Sequence, residues 1–469
     1  MITFLDLIKK LLETITKLSI PPTWISRTLF MFTSNIAYGM SFISDIKFID
    51  KFFENVNNLY SCDKIKISKC DTNFVIIYLS VLSLKLLNND LKSDYLEEFI
   101  NIELESQIIN CYNYQIFINK NYKLIEFLKN NVSEYYDFRN KDSWKDSNKP
   151  IDLPNGNYTI NPNKLLDLEK INNYKSWCPL DGQQMIGSKW GEIPGLIEQL
   201  DFDLIESDLI KIYEKINLEE EAKEVLDISL NLNEEQKCIA EFWAGIGGSV
   251  APPGFWNIFM LCCFEKSNNN DYFLQLKYFY ELNCGLFQVS IIIWNIKYKC
   301  LQARPIQTIR FLFPNSEFDY YFGNGYGKSW LPYQESRLWT PSFCDFLSGH
   351  SAFSAVGAFF MTKFFGSNVT DLGVSINSFE LKLLSPIFKN YFGNPLYLSD
   401  IILEKGCSNI EENIPNQQIN LKFNTWKDMA ESAGISRIYG GIHYRSSNLI
   451  SLDIGTKVAS LINKKCSYN

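Results

Sequence analysis

The 469-residue chain holds two histidines, His350 and His443, and each sits among residue types that can do chemistry. His350 follows Ser348 and Gly349 in "DFLSGHSAFSAVG". There the glycine admits a close backbone approach, and amides at a helix start point at anions. His443 ends the stretch "SRIYGGIH", six residues after Arg437, and the Gly440-Gly441 pair argues against a simple helix between them. A third stretch, "KYKCLQARP", sets Lys297 and Arg304 seven apart, two turns of helix, so that both face the same way. Pro305 then closes that helix or bends it. Summed, these segments bring three positive charges, two imidazoles and a Ser/Gly amide cradle, a set suited to a tetrahedral oxyanion such as phosphate or vanadate. Arginines give paired hydrogen bonds to its oxygens and lysine a point charge. One imidazole can bond the central atom while the other manages the proton of the leaving or apical oxygen. Each segment alone is common, Ser-Gly before a helix being ordinary capping chemistry. Their conjunction in a chain with no other histidine carries the reading.

Helices must position these residues. Apolar residues recur at helical spacing through most of the chain, densely enough at 27–43 for a buried helix and one-sidedly at 208–230, while alternating strand patterns are rare. The fold class expected is all-α. Two polar, Pro- and Asn-rich stretches, 131–163 and 388–423, read as long connections of the kind that lie over sites. A division near 230 separates an N-terminal helical half, 1–230, from a catalytic half, 231–469, unless the two form one continuous domain. Hydrophobic residues make up 46% and aromatics 15%, enough for a sizeable packed core. The net charge of -8 argues against nucleic acid or an anionic membrane as a general partner and leaves the cations above as a local anion site. Asp6, Lys9 and Lys10 interrupt the amphipathic N-terminus, so no signal peptide is expected, and the apolar runs "FVIIYLSVLSLKLL" and "LFQVSIIIWNI" read as too short or too charged to span a bilayer. Twelve scattered cysteines without zinc-like pairs suggest reduced thiols and a cytoplasmic or other reducing compartment.

The three segments match K-x6-RP, (P)SGH and SR-x5-H, and on them the chain resembles the vanadium-dependent haloperoxidases, the soluble branch of the type 2 phosphatidic-acid-phosphatase superfamily. The likeness extends to 240–258, 294–310 and 430–445 and more loosely from about residue 20 to 463. It implies a soluble all-α fold of the vanadium chloroperoxidase type, with two four-helix bundles. It also implies that His443 is the direct ligand to the vanadium of a vanadate cofactor, or the phosphorylated nucleophile of a phosphatase that needs no cofactor. His350 would be the acid–base group. Lys297, Arg304, Ser348, Gly349 and Arg437 would bind the oxyanion, with Lys297 polarising bound peroxide. Trp294 and Phe343 match the pocket aromatics of the chloroperoxidase branch. Partners would be small molecules (hydrogen peroxide, halide, or a phosphate ester), and a homo-oligomer is in keeping with the family.

The chain departs from the family pattern at Leu347 in place of proline, at Ser447 in place of a frequent aspartate, and at Cys300-Leu301-Gln302-Ala303, where bulky rings are usual. Asp345 and Glu431 are candidates to orient a histidine or arginine. Cys300 and Cys344 lie in or beside the motifs, where hypohalous acid would oxidise them, a point in favour of phosphohydrolysis. The superfamily's membrane phosphatases use several spanning helices, which this sequence does not show. The readings are therefore a vanadium-dependent haloperoxidase-like enzyme, a soluble acid phosphatase using the same residues, and a non-catalytic helical protein with a vestigial anion site.

Overall fold

The computed structural model describes residues 2–50, 68–104, 112–171, 173–245, 247–320 and 323–467. Helix accounts for 62% of the described residues and strand for 4%, so the all-α expectation holds. Among the described residues, the helices of eight or more residues are α1 (Phe4–Leu18), α2 (Pro22–Ser41), α3 (Lys69–Leu91), α4 (Tyr112–Lys120), α5 (Tyr122–Arg139), α6 (Gln199–Tyr213), α7 (Leu218–Leu230), α8 (Glu234–Phe242), α9 (Ala251–Ser267), α10 (Tyr272–Cys300), α11 (Pro305–Leu312), α12 (Gly349–Phe365), α13 (Trp426–Tyr439) and α14 (Arg445–Ser467). α1 begins in a capping box between Thr3 and Asp6, and Phe4, Leu7, Ile8, Leu11, Leu12 and Ile15 bury one face of it. α10 is different: from Phe279 to Trp294 its side chains are buried on every face, which makes it the central helix.

α10 belongs to two helical groups. On one side it packs with α2 and α3, which in turn hold α5; on the other α12 packs against α10, α9, α13 and α14. One core runs through both groups, from Ile2 to Ile462. α3 includes Asp71–Leu91, a segment that is by length and composition long and apolar enough to cross a membrane, contrary to the sequence expectation. It packs on α1, α2 and α5 within this core. Close approach in the second group depends on small residues. A Cβ on Gly357 of α12 would lie 1.9 Å from Trp256 Cδ2, and the Trp256 ring is fully buried. Gly357→Ala is therefore expected to lower stability by about 1–3 kcal/mol, the usual range for overpacking, or by more if the ring cannot move. Urea unfolding of the variant beside the wild type checks this.

The two polar stretches fold differently from expectation. α5 continues to Arg139, burying Val132, Tyr135 and Tyr136, so the first long connection starts at residue 140. The second contains most of a small antiparallel sheet in the order β3 (Ser375–Ile376), β4 (Leu396–Tyr397), β5 (Asp400–Leu403), β6 (Ile419–Lys422), beside a separate hairpin of β1 (Glu317–Tyr320) and β2 (Gly323–Tyr326). The 208–230 stretch is two helices, α6 ending at Tyr213 and α7 starting at Leu218.

Candidate active site

Each signature residue is placed at or beside a helix end. Lys297 lies in the last turn of α10. The helix stops at Leu301, whose φ of 50° is left-handed, and Arg304 follows in extended conformation as the residue preceding α11. Lys297 and Arg304 thus do not share two turns of one helix, and Pro305 opens the next helix instead of closing the first. The backbone between them is held by a neighbouring extended stretch: Trp177 N donates to Leu301 O (2.7 Å) and Ala303 N to Lys175 O (2.8 Å). Ser348 caps α12 and His350 sits in its first turn. Arg437 is in the last turn of α13, and Gly441 at φ 67° turns the chain so that His443 stands between α13 and α14.

Side chains from all of these points converge. Lys297 Nζ donates to Cys344 O and Asp345 O, each at 2.8 Å, and lies 5.0 Å from the centre of the Phe343 ring. Arg304 donates from Nε to Phe343 O and from Nη1 to Ile442 O, both at 2.7 Å, and Nη1 is 3.0 Å from His443 Nε2. Its Nη2 is buried without a hydrogen-bond partner. Arg437 donates to Ser436 Oγ (2.9 Å), Ala240 O (2.7 Å) and Ala244 O (3.2 Å). His350 Nε2 is 3.0 Å from Trp243 O. Ser348 Oγ accepts from Ser351 N at 3.4 Å and is 2.8 Å from Ser351 Oγ, which reaches Asn448 Oδ1 at 2.7 Å.

Asp345 stands among these cations. Its Oδ1 is 2.9 Å from His443 Nδ1 and 3.8 Å from Arg304 Nη1; the first contact has the length of a hydrogen bond, with alignment short of ideal. Its Oδ2 accepts from the Ser447 hydroxyl, so the serine that replaces the family's frequent aspartate contacts a carboxylate brought from another segment. Glu431 plays no such part: it is exposed on α13 and pairs with Lys427 at 3.4 Å.

The electrostatics follow from burial. Lys297, Arg304, Arg437, Asp345 and His443 are all at most 2% exposed, whereas His350 is half-buried. Burial pulls Lys297, Arg304 and Arg437 down, and for Lys297 the Arg304 charge adds to the effect. Both imidazoles are held well below their ordinary value, first by burial and then by the neighbouring cations, so both are neutral. Burial pushes the Asp345 carboxyl up to about 6 against the opposing pull of Arg304 and Lys297. Three cations face one carboxylate, so the site is short of negative charge.

A cavity of ≈ 200 Å³ opens on this cluster, lined by Gly349, His350 and His443 with Trp294, Phe343 and Phe353. Lys297, Arg304, Ser348 and Arg437 are buried behind that lining. The Trp294 and Phe343 rings are 5.2 Å apart, and Trp294 Nε1 donates to Ile186 O at 3.2 Å. Lys297, Arg304, Ser348, Gly349, His350, Arg437 and His443 are brought together here with Trp294 and Phe343, and Glu431 is not. Sequence reasoning missed the wall formed by Ser19, Ile20, Pro21 and Pro22, and the Ala240, Trp243 and Ala244 carbonyls that hold Arg437 and His350.

Residues 277–468 match the VCPO second helical-bundle domain. Among solved structures, the chain is similar to the first bacterial vanadium-dependent iodoperoxidase, with TM-score 0.62 and 16% identity over 98% of this chain and 94% of that one. It is also similar to a bacterial vanadium-dependent chloroperoxidase in its holo form, with TM-score 0.61 and 14% identity over 95% and 93% of the two chains. The apo form of the bacterial chloroperoxidase aligns likewise, with TM-score 0.61 and 14% identity over 96% and 94%. No curated protein sequence matches. At these identities the alignments speak to fold. The chain has the fold of the vanadium haloperoxidases, and its C-terminal part is similar to the VCPO second helical-bundle domain.

Proposed function

We propose that this chain is a vanadium-dependent haloperoxidase that holds vanadate through His443 and uses hydrogen peroxide to oxidise a halide. One observation carries the reading: three buried cations and two neutral imidazoles meet a single carboxylate beside a cavity, and Arg304 Nη2 is left there without a partner. An orphaned buried donor costs about 1–3 kcal/mol, which an oxyanion oxygen would recover. The residues therefore fit the group. Arg304, Arg437, Lys297, Ser348 and the Gly349 amide would hold its oxygens and the His443 imidazole its centre. Vanadate, when bound, supplies the Lewis-acidic centre that activates peroxide towards a halide. His350 serves as the proton carrier: a carbonyl only accepts, so Nε2, bonded to Trp243 O, carries the proton and Nδ1 has the lone pair that can take one. Trp294 and Phe343 wall the cavity with apolar surface, which keeps water from screening the site's charges.

The two thiols near the motifs do not oppose this chemistry. Cys344 is fully buried and pushed up to about 12 by burial, Cys300 likewise to about 12, and neither lines the cavity. Thiol oxidation follows thiolate character and access. The nine cysteines with described side chains are all free; Cys62, Cys70 and Cys111 lie outside the described side chains. The test is a paired assay on one metal-stripped sample. Orthovanadate, peroxide and bromide should give bromination of monochlorodimedone that depends on vanadate. A chromogenic phosphate ester hydrolysed without any bromination would instead assign the same residues to phosphohydrolysis.

A further inference from the structure

We infer that Asp345, braced by Ser447, is a positioning residue that fixes His443 as the Nδ1–H tautomer and so keeps the Nε2 lone pair free for the oxyanion. Two features on opposite sides of the ring point to this, a donor at Nε2 and a carboxylate beside Nδ1. A guanidinium carries donors only, so Arg304 Nη1, 3.0 Å from His443 Nε2, faces a lone pair there. Asp345 Oδ1 stands 2.9 Å from His443 Nδ1 outside hydrogen-bond alignment, and a carboxylate, which only accepts, favours a proton on the nitrogen nearer to it. With the Nε2 lone pair facing the Arg304 donor, the ring's proton belongs on Nδ1, the side of the carboxylate. Water favours the other tautomer, so the surroundings must impose this one.

Asp345 is itself held at Oδ2, at its amide and at its carbonyl. Its Oδ2 accepts from Ser447 Oγ, its amide donates to Gln302 O at 3.0 Å, and its carbonyl accepts from Lys297 Nζ at 2.8 Å. Ser447 belongs to α14, four residues after His443 in the chain, and Ser447 O accepts from Ser348 N at 3.2 Å. One buried carboxylate thus ties the orientation of His443 to the segments that carry Lys297 and Ser348. Without it, the buried Nδ1 would have no negative charge beside it. The ring would then move its proton to Nε2, where it would oppose the Arg304 donor.

What Nε2 does rests on the function proposed above; which nitrogen carries the proton does not. With only two histidines in the chain, ¹⁵N-histidine labelling gives two ring systems, and His350→Gln assigns them. Wild-type His443 is expected to show protonated Nδ1 and bare Nε2, a measurement that needs no Asp345 variant. Asp345→Ser should shift His443 to the Nε2–H form and weaken orthovanadate binding, read by equilibrium dialysis, by about 10–100-fold. Adding Ser447→Asp returns a carboxylate from the other end of the same hydrogen bond and should restore both readouts. A wild-type His443 protonated on Nε2, an Asp345→Ser protein that keeps the Nδ1–H tautomer, or a folded swap that restores neither readout overturns the assignment. Wild-type protein that shows the stated tautomer and binds no vanadate removes the cofactor reading and leaves the positioning role standing.

Discussion

His443→Ala is expected to abolish vanadate-dependent bromination, by at least about 10⁴-fold, the scale on which removing a nucleophile in a working constellation acts. The other imidazole, His350, is tied through Nε2 to the Trp243 carbonyl and keeps Nδ1 for the proton, and the cations have no lone pair to give. The fold should survive, because the ring's contacts are polar and few: Arg304 keeps its bonds to Phe343 O and Ile442 O when the imidazole is gone. Monochlorodimedone bromination together with a thermal unfolding curve checks both halves. Activity persisting in folded His443→Ala protein would refute the site assignment.

Arg304→Lys should lower turnover by about 10²–10³-fold, as loss of a preorganised donor does. The substitution keeps a charge but not the fork. Arg304 spends Nε on Phe343 O and Nη1 on Ile442 O and leaves Nη2 over for an anion. An ammonium cannot reach both carbonyls from one atom and still present a donor in the guanidinium plane. A second effect follows, since a buried carbonyl without a partner costs about 1–3 kcal/mol. Urea unfolding should therefore shift as well, alongside steady-state kinetics with peroxide as the varied substrate. Unchanged turnover with unchanged stability would show that Arg304 holds neither anion nor backbone.

What was legible in the sequence, and what was not, divides on whether the work is done by a side-chain type. Lys297, Arg304, Ser348, Gly349, His350, Arg437 and His443 could be named because oxyanion chemistry needs those types at those spacings, and the structure gathers them. The helical route from Lys297 to Arg304 was misjudged because the break is at Leu301, and leucine at φ 50° leaves no mark that a glycine would have left. The true constraint, pairing with Lys175–Trp177, comes from a segment more than a hundred residues away. The carbonyls of Ala240, Trp243 and Ala244 were invisible, since every residue has a carbonyl. Strands of two to four residues gave too few alternations to recognise, which is how the sheet inside 388–423 passed for a connection. Asp345 could be suspected as an orienting group from its place beside the motif, but only coordinates separate it from Glu431, which faces solvent.

The convergence of four distant stretches, 240–245, 294–304, 343–350 and 437–443, has a thermodynamic consequence. A ligand that requires all four in place has nothing to bind in the unfolded chain, so its occupancy and the folding of the whole are linked equilibria. At a hundredfold excess over its dissociation constant such a ligand adds about 2.7 kcal/mol to global stability. The anion thereby acts as a reversible cross-link among parts of the chain that no disulfide joins, among the described residues, and the unfolding midpoint becomes a gauge of its affinity that needs no turnover.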